Sequence, residues 1–203
     1  MRVEISHVKC MGPSVWERSG DVLDLLERTR SEGIDITGDQ YPYTAGSTSL
    51  TGALFPRWSL DGGRDSTLKQ MADPDDRKRL LTDIDAIFTK GGGPETVVIA
   101  RYVRAPNYEG MSMLQIGQEL SCGPAEAALR LYRQGDGQVI IHMMGEPDVE
   151  TIARHPLISV GSDGSSLSAE GILSVGKPHP RSYGTNPRFL ARYVREKRVV
   201  SLE

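Results

Sequence analysis

Apolar positions along the chain change their period several times, and each change marks a predicted element. Residues 2–8 (RVEISHV) place Val3 and Ile5 in imperfect alternation and predict a short strand. From 17 to 33 the spacing turns helical, with Val22, Leu23, Leu25, Leu26 and Thr29 as the stripe and Gly33 as the stop. The segment 34–38 (IDITG) returns to a strand. Strand, helix and strand in this order form the βαβ unit of a parallel sheet.

The middle of the chain has a different texture. Residues 41–60 are rich in Thr, Ser, Gly and Pro and predict a long loop. Asp73-Pro74 opens a charged helix, with Asp73 as its N-cap and Leu80, Leu81, Ile84, Ile87 and Phe88 as its stripe. Gly91-Gly92-Gly93-Pro94 ends it. A strand at 96–100 (TVVIA) and helices at 112–120 and 124–133 follow. The run 138–142 (QVIIH) is continuously apolar, as strands of buried parallel sheets are. A short helix at 148–154 leads to a second buried strand at 157–161 (LISVG), which ends on Ser162-Asp163-Gly164. A polar, glycine-rich loop runs to Arg181, and a helix is predicted over 187–197. The total is four or five strands with helices between most of them. A complete eight-stranded barrel takes about 250 residues. The pattern therefore fits either a small open α/β sheet or part of a larger barrel.

Composition narrows the function classes. With 24 Lys+Arg against 27 Asp+Glu the formal net charge is -3, so the cationic excess of a general nucleic-acid binder is missing. No apolar run approaches the roughly 20 residues of a membrane span. The opening MRVEISHVKC has no apolar h-region, and two cysteines, Cys10 and Cys122, make no disulfide framework. A reducing, cytoplasmic setting is the expectation, with no membrane and no nucleic acid as partner.

Several residues suit chemistry at strand ends. His7 and Lys9 follow the first strand with a spacing of two, which places them on one face. Imidazole is the commonest metal ligand and lysine a cation for carboxylate or phosphate. The alternative is a hydrogen-bonded core histidine beside a solvated lysine. Asp163, flanked by small residues after an apolar strand, is a candidate catalytic carboxylate; its alternative is an Asx turn. Tyr41 and Ser47, in the segment after the second strand, offer hydroxyls to a polar substrate, or else pack at a loop base. Arg181 in His179-Pro180-Arg181 suits a carboxylate, or is an ordinary loop cation. His142 and His155 are assigned structural roles. Cys10 lacks a CxxC or CxxxH partner, so no closed zinc site is encoded around it. The GxGxxG, GxxxxGK[ST] and GxSxG fingerprints are absent.

Four ordered segments carry a resemblance: Ile5-Ser6-His7-Val8-Lys9-Cys10, then 39–48 (DQYPYTAGST), Val160-Gly161-Ser162-Asp163-Gly164, and 177–185 (KPHPRSYGT). Together they resemble the D-aminoacylase (N-acyl-D-amino-acid deacylase) family of the amidohydrolase superfamily. Val194-Arg195-Glu196 and Ser201-Leu202-Glu203 add to it, whereas 60–135 matches less distinctly. The resemblance implies an α/β fold: part of a (β/α)8 TIM-type barrel, its C-terminal half, with a lid-like insertion at about 60–135. It implies a zinc-dependent hydrolase of linear amides acting on a small-molecule N-acyl-D-amino acid. By the same resemblance His7 is a zinc ligand, Asp163 is the acid/base at the metal, and Lys9 and Arg181 hold the substrate carboxylate. Tyr41 and Ser47 stand near the substrate.

Departures from the family pattern are equally specific. No H-x-H is present, and the cysteine and histidine that complete the family's ligand set lie upstream of the matched segments. Asn186 replaces a usual aromatic. The expectation is therefore a C-terminal portion of a deacylase that needs the missing N-terminal part of its barrel and is inactive alone. Alternatives are a deacylase for acidic N-acyl-D-amino acids, a dipeptidase-like relative, or a non-catalytic fragment or module.

Overall fold

The computed structural model describes residues 2–202. Along the chain the elements are β1 (Arg2–Ile5), α1 (Ser19–Ser31), β2 (Asp35–Gln40), β3 (Ala45–Ser49), α2 (Leu50–Leu54), α3 (Arg57–Leu60), α4 (Gly63–Ala72) and α5 (Pro74–Gly91). They continue as β4 (Val97–Arg101), α6 (Met113–Glu119), α7 (Pro124–Gln134), β5 (Gln138–His142), α8 (Glu146–Ala153), β6 (Ile158–Val160) and α9 (Arg181–Arg188), with a π-helical turn at Phe189–Glu196. The chain divides into two compact units, 1–45 with 143–174 and 179–203, and 46–142 with 175–178.

In the first unit β1, β2 and β6 form a parallel sheet in the order β1-β2-β6. The predicted βαβ unit is present, with β1 ending at Ile5 rather than at residue 8. Val3 pairs with Ile36 in the register and Glu4 with Thr37, so alternate residues face opposite ways. Ile36 packs with Leu23 and Leu26 of α1, joined by Val3, Ile34, Leu157 and Ile158. Each such side chain, fully buried, contributes about 1.5–3 kcal/mol. Glu4 and Thr37, which are hydrogen-bonded to each other, occupy the opposite face. The strand at 157–161 differs from expectation: it is short, and Ser159 and Val160 are exposed. Leu157 and Ile158 pack against the α1 cluster, and among the described residues β6 pairs with β2 alone, at the edge of the sheet.

Asp148 of α8 is buried and accepts hydrogen bonds from the Glu17 and Ser19 amides at 2.7 and 3.1 Å. It satisfies donors at the start of α1, where the residue at the N-cap, Arg18, offers no side-chain acceptor. The predicted helix at 187–197 is also corrected. Helix α9 begins at Arg181 and carries Pro187 inside it. Pro187 withholds one helical N–H, and the next turn widens, with Lys197 N donating to Arg192 O five residues back at 2.8 Å. Glu146 fastens this turn, accepting from Arg192, Tyr193 and Lys197 at 3.1, 3.0 and 2.9 Å.

The second unit holds the sheet β3-β5-β4 and six helices, of which α2 packs on β5 and α6 on β4. Here β5 runs antiparallel to β4, pairing Val97 with Ile141 and Ile99 with Val139. This overturns its expected parallel setting: an apolar run reports burial on both faces, not strand direction. The expected loop at 41–60 instead contains β3, α2 and α3. Strand β3 (AGSTS) has small hydroxyl side chains and no apolar alternation to reveal it. The helix from Asp73 is as expected, with the Asp73 carboxylate accepting from Asp75 and Asp76 amides at 3.0 Å and Pro74 in the first turn. Ser112 and Gln115 close a capping box on α6.

Candidate functional site

The first unit is parallel, so its three strands end side by side. Ile5 stands opposite Gly38, and Gln40 opposite Val160. Ligands of parallel α/β folds bind at such ends. Two non-glycine residues just past them adopt the left-handed region, His7 at φ 46° and Asp163 at φ 45°. That conformation costs roughly 1–2 kcal/mol and needs support from its surroundings. For His7 the support is Asp39, whose Oδ1 accepts the His7 amide at 2.8 Å while the Asp39 carbonyl accepts Val8 N at 2.8 Å. Gly161 makes room for this carboxylate: a Cβ there would lie 2.7 Å from Asp39 Oδ1. The glycine of G-S-D-G therefore serves the histidine of S-H-V-K across the sheet.

Four charged or hydroxyl side chains from distant parts of the sequence gather at these strand ends. Lys9 Nζ donates to His7 O at 2.6 Å and to His7 Nδ1 at 2.8 Å, and stands 5.5 Å from the Tyr41 ring centre. The Arg181 guanidinium lies 4.7 Å from the same ring and bonds Asp163 Oδ2 at 2.7 Å. Burial lowers the Lys9 pKa to about 8; Asp163 and Asp39 oppose the shift, while the Arg181 cation adds to it. Tyr41 is 2% exposed, and its hydroxyl lies within reach of the Arg181 side chain without a well-formed hydrogen bond. Burial pushes that phenol up to about 12, against the pull of Arg181. An arginine can only donate to this oxygen, so the buried O–H beside two cations suits an anionic ligand that brings its own acceptor.

Arg181 is itself buried. Its amide donates to His179 Nδ1 at 3.0 Å, and His179 Nε2 is 2.9 Å from Ala45 O. An amide only donates and a carbonyl only accepts, so both bonds are made by the neutral ring with its proton on Nε2. His179 also meets Tyr43 edge-on at 5.0 Å and Tyr41 at 6.1 Å. Gly164 seats the Asp163 loop against α9: a Cβ there would fall 2.9 Å from Ser182 Cα and 3.2 Å from Arg181 O.

The sequence pattern alone does not mark Asp39 or His179. Asp39 opens the segment 39–48, and His179 stands two residues before the helix it caps, which is the signal available for it. Ser47 falls in the second unit, where its hydroxyl donates to Val139 O at 2.9 Å. Cys10 is buried, and burial together with the Asp148 charge raises its thiol pKa. His155 bridges Leu157 N and Glu27.

A metal fits these residues poorly as they stand. Among the described residues no group of three or more His, Cys, Asp or Glu side chains is placed to hold an ion. With Nδ1 accepting from Lys9, the neutral His7 ring carries its proton on Nε2 and has no lone pair left to give. A catalytic zinc site takes about three protein ligands.

No protein-family profile matches the chain. Solved structures resemble it over its length. One is N-acyl-D-glutamate deacylase from Bordetella bronchiseptica with zinc and a phosphonate mimic of the tetrahedral intermediate, at TM-score 0.69 and 28% identity, covering 99% of this chain and 33% of that one. Another is a D-aminoacylase described as defining a novel subset of amidohydrolases, at TM-score 0.68 and 28% identity, covering 100% and 33%. A further D-aminoacylase structure concerns its binuclear metal centre. What the chain resembles is thus an α/β amidohydrolase that works with metal ions.

Curated relatives from Alcaligenes xylosoxydans xylosoxydans are narrower. The chain is 31% identical to its N-acyl-D-glutamate deacylase over 98% of the chain, 30% identical to its N-acyl-D-aspartate deacylase over 100%, and 28% identical to its D-aminoacylase over 99%. The expected resemblance to N-acyl-D-amino-acid deacylases is therefore borne out from end to end. The chain spans about a third of the length of these relatives, 31 to 32% of each.

Proposed function

We propose that this chain supplies the carboxylate-binding grip and the acid/base carboxylate of an enzyme that hydrolyses N-acyl-D-amino acids to a D-amino acid and a carboxylate. The observation that carries the reading is the gathering of Lys9, Tyr41, Asp163 and Arg181 at the ends of parallel strands, in the family's order. Lys9 and Arg181 hold the free carboxylate, with the Tyr41 hydroxyl donating to it, and this fixes where the acyl group points. Asp163 takes the proton of the attacking water and returns it to the nitrogen as the C–N bond breaks. Ser47 is assigned to the substrate by resemblance alone.

A metal ion such as the zinc in the N-acyl-D-glutamate deacylase structure, if bound, would supply a more acidic water and a polarised amide carbonyl. His7 and Asp163 are this chain's share of such a site. His7 joins it only if Lys9 releases Nδ1, and the remaining ligands come from outside these residues. The β1-β2-β6 sheet is a wedge of a (β/α)8 barrel in this proposal, with 60–135 as an insertion, in a cytoplasmic protein.

The test is hydrolysis of N-acetyl-D-methionine and N-acetyl-D-glutamate by a protein extended to the relatives' length. Asp163→Asn should lower kcat by about 10²–10⁴, and Arg181→Ala should act mainly on KM. Full activity in Asp163→Asn would refute the assignment. The 203-residue chain alone, titrated with zinc, should show little or no turnover.

A further inference from the structure

We infer that His179 is a positioning residue for Arg181, fixing the carboxylate grip through its neutral Nε2–H ring; this rests on the role proposed for Arg181. The ring makes two bonds of opposite sense. Nδ1 accepts the Arg181 amide at 3.0 Å, and Nε2 donates to Ala45 O at 2.9 Å. The first bond caps α9, whose N-cap residue, Pro180, offers no side-chain acceptor. The second ties that helix start to the segment just after Tyr41 and Tyr43. His179 is 3% exposed and packs edge-on against Tyr43, so its ring has little freedom to turn.

These contacts set both coordinates of the guanidinium. The helix start fixes the Arg181 backbone, and Tyr41, 4.7 Å below the guanidinium, supplies its platform. The other neutral tautomer would put N–H against N–H and a lone pair against a carbonyl, and ring rotation by half a turn would put a C–H against each partner. A protonated ring would likewise present Nδ1–H to the Arg181 amide. Phenylalanine keeps the ring packing and loses both bonds. Asparagine keeps one acceptor for the amide two residues on, as in an Asx cap.

The experiment is NMR on the 203-residue chain with ¹⁵N-labelled histidine and arginine. The wild-type His179 ring should show an unprotonated Nδ1 and a protonated Nε2. The Arg181 Nε–H should exchange with solvent about tenfold faster in His179→Phe, the scale of one lost hydrogen bond. In His179→Asn it should recover to within about threefold of wild type. A folded His179→Phe chain with unchanged Arg181 exchange overturns the inference. So does a wild-type ring protonated on Nδ1, a readout that stands even if the Phe variant does not fold. If these tests are passed while the protein extended to the relatives' length neither binds nor hydrolyses N-acyl-D-amino acids, the proposed function fails and the positioning of Arg181 stands.

Discussion

Replacing Gly164 by alanine adds one methyl group where α9 leaves no space for it. The new Cβ would sit 2.9 Å from Ser182 Cα, 3.2 Å from Arg181 O and 3.3 Å from Ser182 N. All three atoms are backbone, so no side chain can swing aside. Restoring ordinary carbon–carbon contact of about 3.5 Å means moving the Asp163 loop from α9 by roughly 0.5 Å or more. Overpacking of this kind costs about 1–3 kcal/mol. The same displacement pulls Asp163 Oδ2 away from Arg181, now 2.7 Å distant. Urea unfolding should therefore give a lower midpoint for Gly164→Ala at unchanged m-value. Hydrogen exchange should locate the loss at 181–185. The matched control is Gly20→Ala in α1, where a Cβ meets nothing within 4 Å. Alanine there should leave stability unchanged or raise it by up to about 1 kcal/mol. Equal behaviour of the two variants would refute the packing argument.

Further perturbations separate binding groups from structural ones. Tyr41→Phe removes a buried hydroxyl that makes no well-formed hydrogen bond beside Arg181, so stability should fall by no more than about 1 kcal/mol, while affinity for a carboxylate ligand falls severalfold; a large stability loss would show that the hydroxyl is already satisfied. Cys10 should resist a water-soluble thiol reagent in the native state, because burial foremost, then the Asp148 charge, raises its pKa, and Cys122 should react first; rapid labelling of Cys10 would contradict this. For Glu146, burial opposes ionisation, but hydrogen bonds from Lys197, Tyr193 and Arg192 outweigh it and hold the carboxyl below its ordinary 4.5. Its folded pKa is depressed, so its contribution is present above pH 4.5 and lost as pH falls through the folded value. Exchange protection at 189–196 should drop in that acid range, and Glu146→Gln should flatten the change.

What could be read from the sequence follows from which forces act locally. Asp73-Pro74 announces a helix because a cap is a contact between neighbours in the chain. The alternating pattern located β1 and β2, whose one apolar face packs on α1. Direction was hidden in β5, since Val139 and Ile141 are buried whichever way the strand runs. Strand β3 escaped notice because Gly46, Ser47 and Thr48 carry no apolar signal, and its partner is remote in sequence. Motif residues His7, Lys9, Asp163 and Arg181 were legible, but the groups that hold two of them were not. Asp39 reaches His7 across 32 positions, and His179 acts through a ring orientation that only the folded chain fixes.

In the proposed function the strand ends of the first unit grip a substrate carboxylate. The most direct measurement is an NMR titration of the 203-residue chain with N-acetyl-D-methionine and, separately, with its carboxamide. The acid should shift the signals of Lys9, Tyr41 and Arg181 together, saturably, and the carboxamide should leave them in place. Equal responses to both compounds, or none at these three residues, would contradict it.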